Sequence, residues 1–191
     1  MLILASKSPR RSEILRMLGF EFQVCPSNAL ENADFSVGID AGVMELALTK
    51  ARAVAKDYLR DVVLGADTLV ALDGRILGQP KNREQAAQML RLLSGKTHTV
   101  YTGAAILGQS RETVFCHQAS VCFFELSDRE IDGYIDTGEP MDKAGAYGIQ
   151  GRGCTLVREI HGDFYTVMGL PAARVSRELA GFGVLPKGRC N

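Results

Sequence analysis

Chemistry is most concentrated near the start of the chain, in Ser6-Lys7-Ser8-Pro9-Arg10-Arg11, where hydroxyls and three cations follow a short apolar run at residues 2–5. Ser8 before Pro9 reads as an N-cap with proline at the first helical position. A strand-to-helix junction of this kind aims free backbone N–H groups and the positive end of the helix dipole outward. It therefore suits a phosphate, and Arg10 and Arg11 add planar, bidentate donors. A capped surface helix with solvated arginines is the plainer reading of the same residues. Asp67 is the second candidate, set in the apolar run DVVLGADTLVAL at residues 61–72. A carboxylate inside a buried strand is costly unless it is paired or used. Glu31 in the first loop, and Glu139 with Asp142 in a glycine-rich segment, are the other acids of interest, although surface or structural roles are the simpler account of Glu31 and Glu139. Two carboxylates beside a polyphosphate can hold Mg²⁺, which prefers oxygen ligands, and one can take a proton from an attacking water. Lys50 lies four residues after Leu46 and four before Val54, on the edge of a buried helical stripe. Either its stem snorkels along apolar surface or its ammonium points at an anion. Gly95-Lys96-Thr97 imitates the end of a P-loop and fails as one, because Leu90 stands where the earlier glycine is required and a helix precedes it.

The elements that must position these residues follow from periodicity. Residues 2–5 read as a buried strand, followed by a helix with Ile14, Leu15 and Leu18 on its apolar face and Gly19 as its stop. Phe20, Phe22 and Val24 alternate as a strand, and residues 25–40 lack periodicity and read as a loop. Residues 42–59 follow helical spacing, with Val43, Leu46, Ala47, Ala51, Val54 and Tyr58 on one side. The strand at 61–72 turns through Asp73-Gly74 into residues 75–77. Asn82 caps a helix that ends at Gly95, residues 97–107 and 114–124 read as strands, and Ser127 with Glu130 forms a capping box for a helix ending at Gly138. Residues 138–153 contain five glycines and read as an irregular loop. Residues 155–160 and 164–168 alternate around His161-Gly162-Asp163 as a hairpin, and Leu170-Pro171 opens the last helix, to Gly181. About seven strands and four helices imply an α/β fold with a mixed, twisted sheet and flanking helices, one domain over residues 1–191 in two lobes around a central cleft.

Composition narrows the function classes. At 191 residues with 46% hydrophobic content the chain can bury a core without staples. Lys plus Arg and Asp plus Glu both number 22, so the basic excess expected of a protein gripping a nucleic acid polymer is missing. No stretch approaches the roughly 20 apolar residues of a membrane span. The cysteines, Cys25, Cys116, Cys122, Cys154 and Cys190, are odd in number and never form a C-x-x-C pair, which favours free thiols over disulfides or zinc. The opening apolar run is too short for a signal peptide and the expected compartment is the cytoplasm.

Several blocks in order, ASKSPRR at 5–11, TKARA at 49–53, GADTLV at 65–70, LSGKTH at 93–98, DKAGAYGIQGRG at 142–153 and VMGLP at 167–171, resemble the Maf family of nucleoside triphosphate pyrophosphatases over nearly the whole chain. The resemblance implies a two-lobed α/β fold and hydrolysis of a nucleoside triphosphate to the monophosphate and pyrophosphate with a divalent cation, Mg or Mn. The long glycine-rich block resembles the branch acting on dTTP and UTP. By the same resemblance Asp67 is the general base and a metal ligand, and Glu31 lies near the metal. Ser6, Ser8, Arg10, Arg11 and Lys50 line the triphosphate, and Arg10, Thr68 and Gln150 bear on substrate choice. Two positions depart from the pattern: Gln79 stands where this branch commonly has a lysine, and Leu30 replaces an acid beside Glu31. Pro80 biases Gln79 toward extended chain, so Lys81 projects to the same side as residue 79 and its long stem can cover one strand repeat, roughly 6 to 7 Å. Lys81 thus joins the expected substrate-binding residues, a solvated surface lysine being the alternative. The expected partner is the nucleotide, with no nucleic acid polymer and no membrane, and a homodimer is left open. The alternative function is a regulatory nucleotide-binding module with weak turnover, linked to cell division.

Overall fold

Leu2, Ile3 and Leu4 are at most 1% exposed and form β1 (Leu2–Leu4) in a computed structural model that describes residues 1–188. β1 pairs in parallel with β2 (Phe22–Val24) on one side and β3 (Val62–Leu72) on the other. β3 turns back into β4 (Arg75–Leu77), its antiparallel neighbour. With β5 (Thr97–Leu107), β6 (Glu112–Phe123) and β7 (Val157–Gly162) the sheet has, among the described residues, seven strands in the order β2-β1-β3-β5-β6-β7, and β4 attaches to β3. β6 and β7 are antiparallel, so the sheet is mixed, as the alternation of crossovers and hairpins predicts. The α-helices of the described residues are α1 (Pro9–Met17), α2 (Ile39–Ala55), α3 (Arg83–Leu93), α4 (Asp128–Ile135), α5 (Phe164–Met168) and α6 (Ala172–Gly181). None is long and apolar enough to cross a membrane.

The chain divides into two compact units. The first comprises residues 1–67 and 102–117 and the described residues from 169 onward; the second comprises residues 68–101 and 118–168. The boundary between Asp67 and Thr68 falls inside β3. In the first unit Ile3, Ala5, Ala47, Ala51, Val54, Val63, Ala105 and Leu107 form a core. Its small residues let α2 approach the sheet at backbone distance. A Cβ on Gly65 would strike the Ala47 carbonyl oxygen and lie 2.8 Å from the Ala51 nitrogen, and one on Gly103 would strike the Val43 carbonyl. The glycine that interrupts the apolar run of β3 is therefore a contact point for α2.

The second unit packs Val70, Leu90, Leu93, Val100, Phe123, Ile131, Tyr134 and Tyr147 together. His98 lies in this core at 2% exposure, with Nε2 2.7 Å from the Tyr147 hydroxyl and its ring edge-on to Phe123 and Tyr147. Burial pushes its pKa down to about 4. Cys25, Cys116, Cys122 and Cys154 are free thiols, and Cys190 lies outside the described residues.

Local signals and structure agree at Asn82, whose side chain accepts from the Gln85 N–H at 2.8 Å, and at the Ser127/Glu130 capping box. They differ elsewhere. Residues 164–168 form α5 instead of a second hairpin strand, because Asp163 accepts hydrogen bonds from the Thr166 N–H at 2.8 Å, the Thr166 hydroxyl at 2.7 Å and the Tyr165 N–H at 3.3 Å. An aspartate cap outweighs five residues of alternation. Ser8 has extended backbone and precedes proline, yet its hydroxyl caps nothing; the Ser8 N–H instead donates to Ser6 Oγ at 3.2 Å. α2 begins at Ile39 and ends at Ala55, earlier at both ends than its apolar spacing implies. The glycine-rich segment folds into short 3-10 helices at Glu139–Asp142, Ala144–Ala146 and Gly151–Leu156.

Candidate active site

In the first unit, the junction of β1 with α1 holds a buried guanidinium. Arg11 is 8% exposed; its Nε donates to the Gly169 carbonyl at 2.8 Å and its Nη1 to Ser6 Oγ at 2.9 Å. Gly169 has φ +105°, a left-handed backbone conformation that favours glycine. Ser6 is thus bound twice, by the Arg11 side chain and by the Ser8 N–H, and it ties α1 to the loop before it. Burial lowers the Arg11 pKa from its ordinary value; Asp67 and Glu31 oppose this as counter-charges, and Arg10 adds to it. Arg10 itself is half-buried.

The acidic half of the site is carried by β3 and the loop after β2. Asp67, 8% exposed, places Oδ1 2.5 Å from Lys50 Nζ, and Glu31 places Oε1 2.9 Å from the same ammonium. The Lys50 side chain is only 14% exposed. Of the two readings of this lysine, the structure has its head turned inward onto carboxylates instead of snorkelling to water. The close approach of α2 to Gly65 makes this reach short, since Ala47 and Ala51 flank Lys50 on the same helix.

Two carboxylates converging on one cation present hard oxygen donors of the kind Mg²⁺ and Mn²⁺ take. Among the described residues no group of three or more His, Cys, Asp or Glu side chains forms a metal cage. Mg²⁺ is also bound by one or two carboxylates with substrate phosphates completing its shell. Glu31 and Asp67 fit such an ion. Leu30, next to Glu31, is 82% exposed and brings no donor.

Thr68, Lys81 and Gln150 belong to the second unit. Thr68 is half-buried in β3. Gln150 is exposed and extended, directly before the 3-10 helix Gly151–Leu156. Lys81 is exposed, and its backbone N–H donates to Gln85 Oε1 at 2.7 Å. The Gln79 side-chain amide donates to the Asp142 carbonyl at 3.2 Å, and the Gly145 N–H donates to the Gly78 carbonyl at 3.0 Å. Gln79 is thus a strut for the glycine-rich segment. Lys143, absent from the sequence reading, donates to the Glu139 carbonyl at 2.5 Å and to Asp142 Oδ1 at 2.6 Å. Glu139, read from sequence as one candidate acid among several, is instead bound by backbone N–H groups of its own loop. The Arg11–Gly169 hydrogen bond was equally out of sight, its one signal being a glycine between apolar residues in VMGLP.

Comparison with known proteins bears on the same residues. The family described as Maf-like protein matches residues 1–182. A dTTP/UTP pyrophosphatase of Bacillus anthracis is 48% identical over 183 residues, 96% of each chain. One of Bacillus pumilus is 47% identical over 185 residues, 97% of this chain and 98% of the relative, and one of Bacillus cytotoxicus is 51% identical over 181 residues, 94% of each. The family match covers the Ser6–Arg11 junction, the Lys50–Asp67 pair and the glycine-rich segment alike, and the chain belongs to the Maf family.

Proposed function

We propose that the protein is a nucleoside triphosphate diphosphatase that hydrolyses dTTP and UTP to the monophosphate and pyrophosphate, removing such nucleotides from the pool. The observation that carries this reading is the Lys50–Asp67–Glu31 cluster beside the buried Arg11: a strand carboxylate available as base, next to cations suited to a polyphosphate. Identity of 47–48% over nearly the whole chain to proteins named dTTP/UTP pyrophosphatase supports it.

Water attacks the α phosphorus, a new P–O bond forms and the bond from that phosphorus to the α–β bridging oxygen breaks. Asp67 takes the proton of the attacking water, and pyrophosphate leaves with the bond's electron pair. Lys50 holds Asp67 through Oδ1, which orients the second oxygen as proton acceptor. Arg10, Arg11 and Lys50, with the Ser6 and Ser8 hydroxyls, bind the phosphates, and their charge gains in value as charge builds on the leaving group. Glu31 and Asp67 would hold a divalent cation, which would further neutralise the triphosphate. Arg10, Thr68 and Gln150 govern substrate choice, Gln150 by donating from its NH₂ to O4 of uracil or thymine and accepting from N3–H. Lys81 contributes a cation in partial replacement of the lysine absent at position 79. The protein acts as one domain in the cytoplasm, on free nucleotides.

Pure protein incubated with dTTP or UTP and Mg²⁺ or Mn²⁺ should release pyrophosphate and the monophosphate. Nucleotide binding without pyrophosphate release would favour a regulatory module instead.

A further inference from the structure

The segment that carries Gln150 is held from both sides by two side chains that the proposed reaction does not use. α4 ends at Ile135, and the Thr137 hydroxyl donates to the Tyr134 carbonyl at 2.6 Å while accepting from the Glu139 N–H at 3.1 Å. Gly138, at φ +76°, turns the chain back, so half-buried Glu139 returns toward the glycine-rich segment. There its carboxylate accepts the Arg152 N–H at 3.0 Å and the Gly153 N–H at 3.3 Å. The fit is close: a Cβ on Gly151, which has φ +65°, would lie 2.7 Å from Glu139 Oε1. Tyr134, 4% exposed, accepts the Gly148 N–H at 3.1 Å, with the Glu139 carboxylate as a neighbouring charge. Burial raises the Tyr134 pKa to about 12, so its hydroxyl stays protonated and neutral beside that carboxylate at neutral pH. Gly148 and Gly153 are pressed together, since a Cβ on Gly153 would strike the Gly148 carbonyl and lie 2.7 Å from the Tyr134 hydroxyl.

We propose that Tyr134 and Glu139 form a clip that fixes the backbone on both sides of Gln150 and so sets its amide for reading the base, making them positioning residues for substrate choice. The inference rests on the reading of Gln150 as the base-selecting residue. Three backbone N–H groups within six residues end on one tyrosine–carboxylate pair, and Gln150 sits midway between the clipped positions. A side-chain amide that must distinguish the O4/N3–H edge of uracil from the reversed edge of cytosine gains nothing if its backbone drifts by an ångström.

The test compares kcat/KM for UTP and CTP in the wild type, Tyr134→Phe, Glu139→Gln, Gln150→Ala and the double variant Glu139→Gln/Gln150→Ala. In Glu139→Gln the amide oxygen accepts one N–H while its NH₂ opposes the other. Each single variant should lower the UTP to CTP ratio, by about tenfold for a mispositioned amide, mainly through KM for UTP. In the Gln150→Ala background Glu139→Gln should lower it no further. A ratio that holds in both clip variants while falling in Gln150→Ala overturns the clip and leaves the role of Gln150 standing. A ratio that falls equally with and without Gln150 also overturns it, and one unchanged in Gln150→Ala overturns both ideas together. Hydrogen exchange at the Gly148, Arg152 and Gly153 amides, faster in the clip variants at unchanged Tm, separates loosening of the segment from unfolding. If the wild type releases no pyrophosphate, that failure belongs to the proposed reaction, and the same cycle is read from UTP and CTP dissociation constants.

Discussion

Lys50 on α2 and Asp67 on β3 meet at 2.5 Å between Nζ and Oδ1, in a part of the first unit where both side chains are nearly closed to solvent, at 14% and 11% exposure. Removing Lys50 takes this counter-charge from buried Asp67, while removing Asp67 leaves Lys50 with Glu31, so function and stability have to be read separately at both positions.

Asp67→Asn keeps the shape and removes the proposed base. Turnover should fall by about 10² to 10⁴ while nucleotide affinity changes little, because the phosphate donors remain. Parallel measurement of kcat and nucleotide Kd checks this; near wild-type kcat would make Asp67 a structural acid.

Arg11→Ala and Lys50→Ala should both raise KM for dTTP and lower kcat, since in the proposed reaction they stabilise charge that grows in the transition state. Arg16 on the same helix, exposed and stacked over Phe22 with 5.6 Å from its guanidinium carbon to the ring centroid, is the control. Equal, small effects at Arg16 and Arg11 would remove the phosphate cradle from the account.

Gly65→Ala puts a methyl into the backbone of α2 at Ala47 and Ala51. Overpacking of this kind costs typically 1–3 kcal/mol, and here it also shifts the helix that carries Lys50. The variant should show a lower Tm and a lower kcat together, whereas a lower Tm with unchanged kcat would show that α2 does not need this register to place Lys50.

His98 sets a pH dependence of stability. Its pKa in the folded chain is about 4, against 6.5 for the free side chain. The unfolded chain therefore binds a proton between these values that the folded chain does not, and stability rises with pH across the window. It is fully present above about pH 6.5 and is lost as pH falls toward 4, by about 3 kcal/mol at most. Chemical denaturation from pH 4 to 8 measures the slope, and His98→Gln should flatten it.

What the sequence made legible was local. Asn82 and Ser127 declare their helices through side-chain caps that compete only with neighbouring backbone. Asp67 stands out because a carboxylate in an apolar strand needs a partner, and Lys50 because it breaks a helical stripe; the two anomalies answer each other in space. Contacts between distant segments stayed hidden. Nothing near Arg11 points to the Gly169 carbonyl 158 residues away, and the acids of the glycine-rich segment looked alike until the backbone N–H groups of Arg152 and Gly153 were seen to end on Glu139. At 164–168 two signals competed, and the Asp163 cap prevailed over alternation because the segment is too short for a side-chain pattern to outweigh hydrogen bonds made within one turn.

In the proposed reaction water attacks the α phosphorus and pyrophosphate departs. This is tested most directly by hydrolysing UTP in ¹⁸O-labelled water with Mg²⁺ and analysing both products by mass spectrometry. One labelled oxygen in UMP, and none in a pyrophosphate product, is the expected result. Label in the pyrophosphate, or release of orthophosphate in its place, would contradict the account.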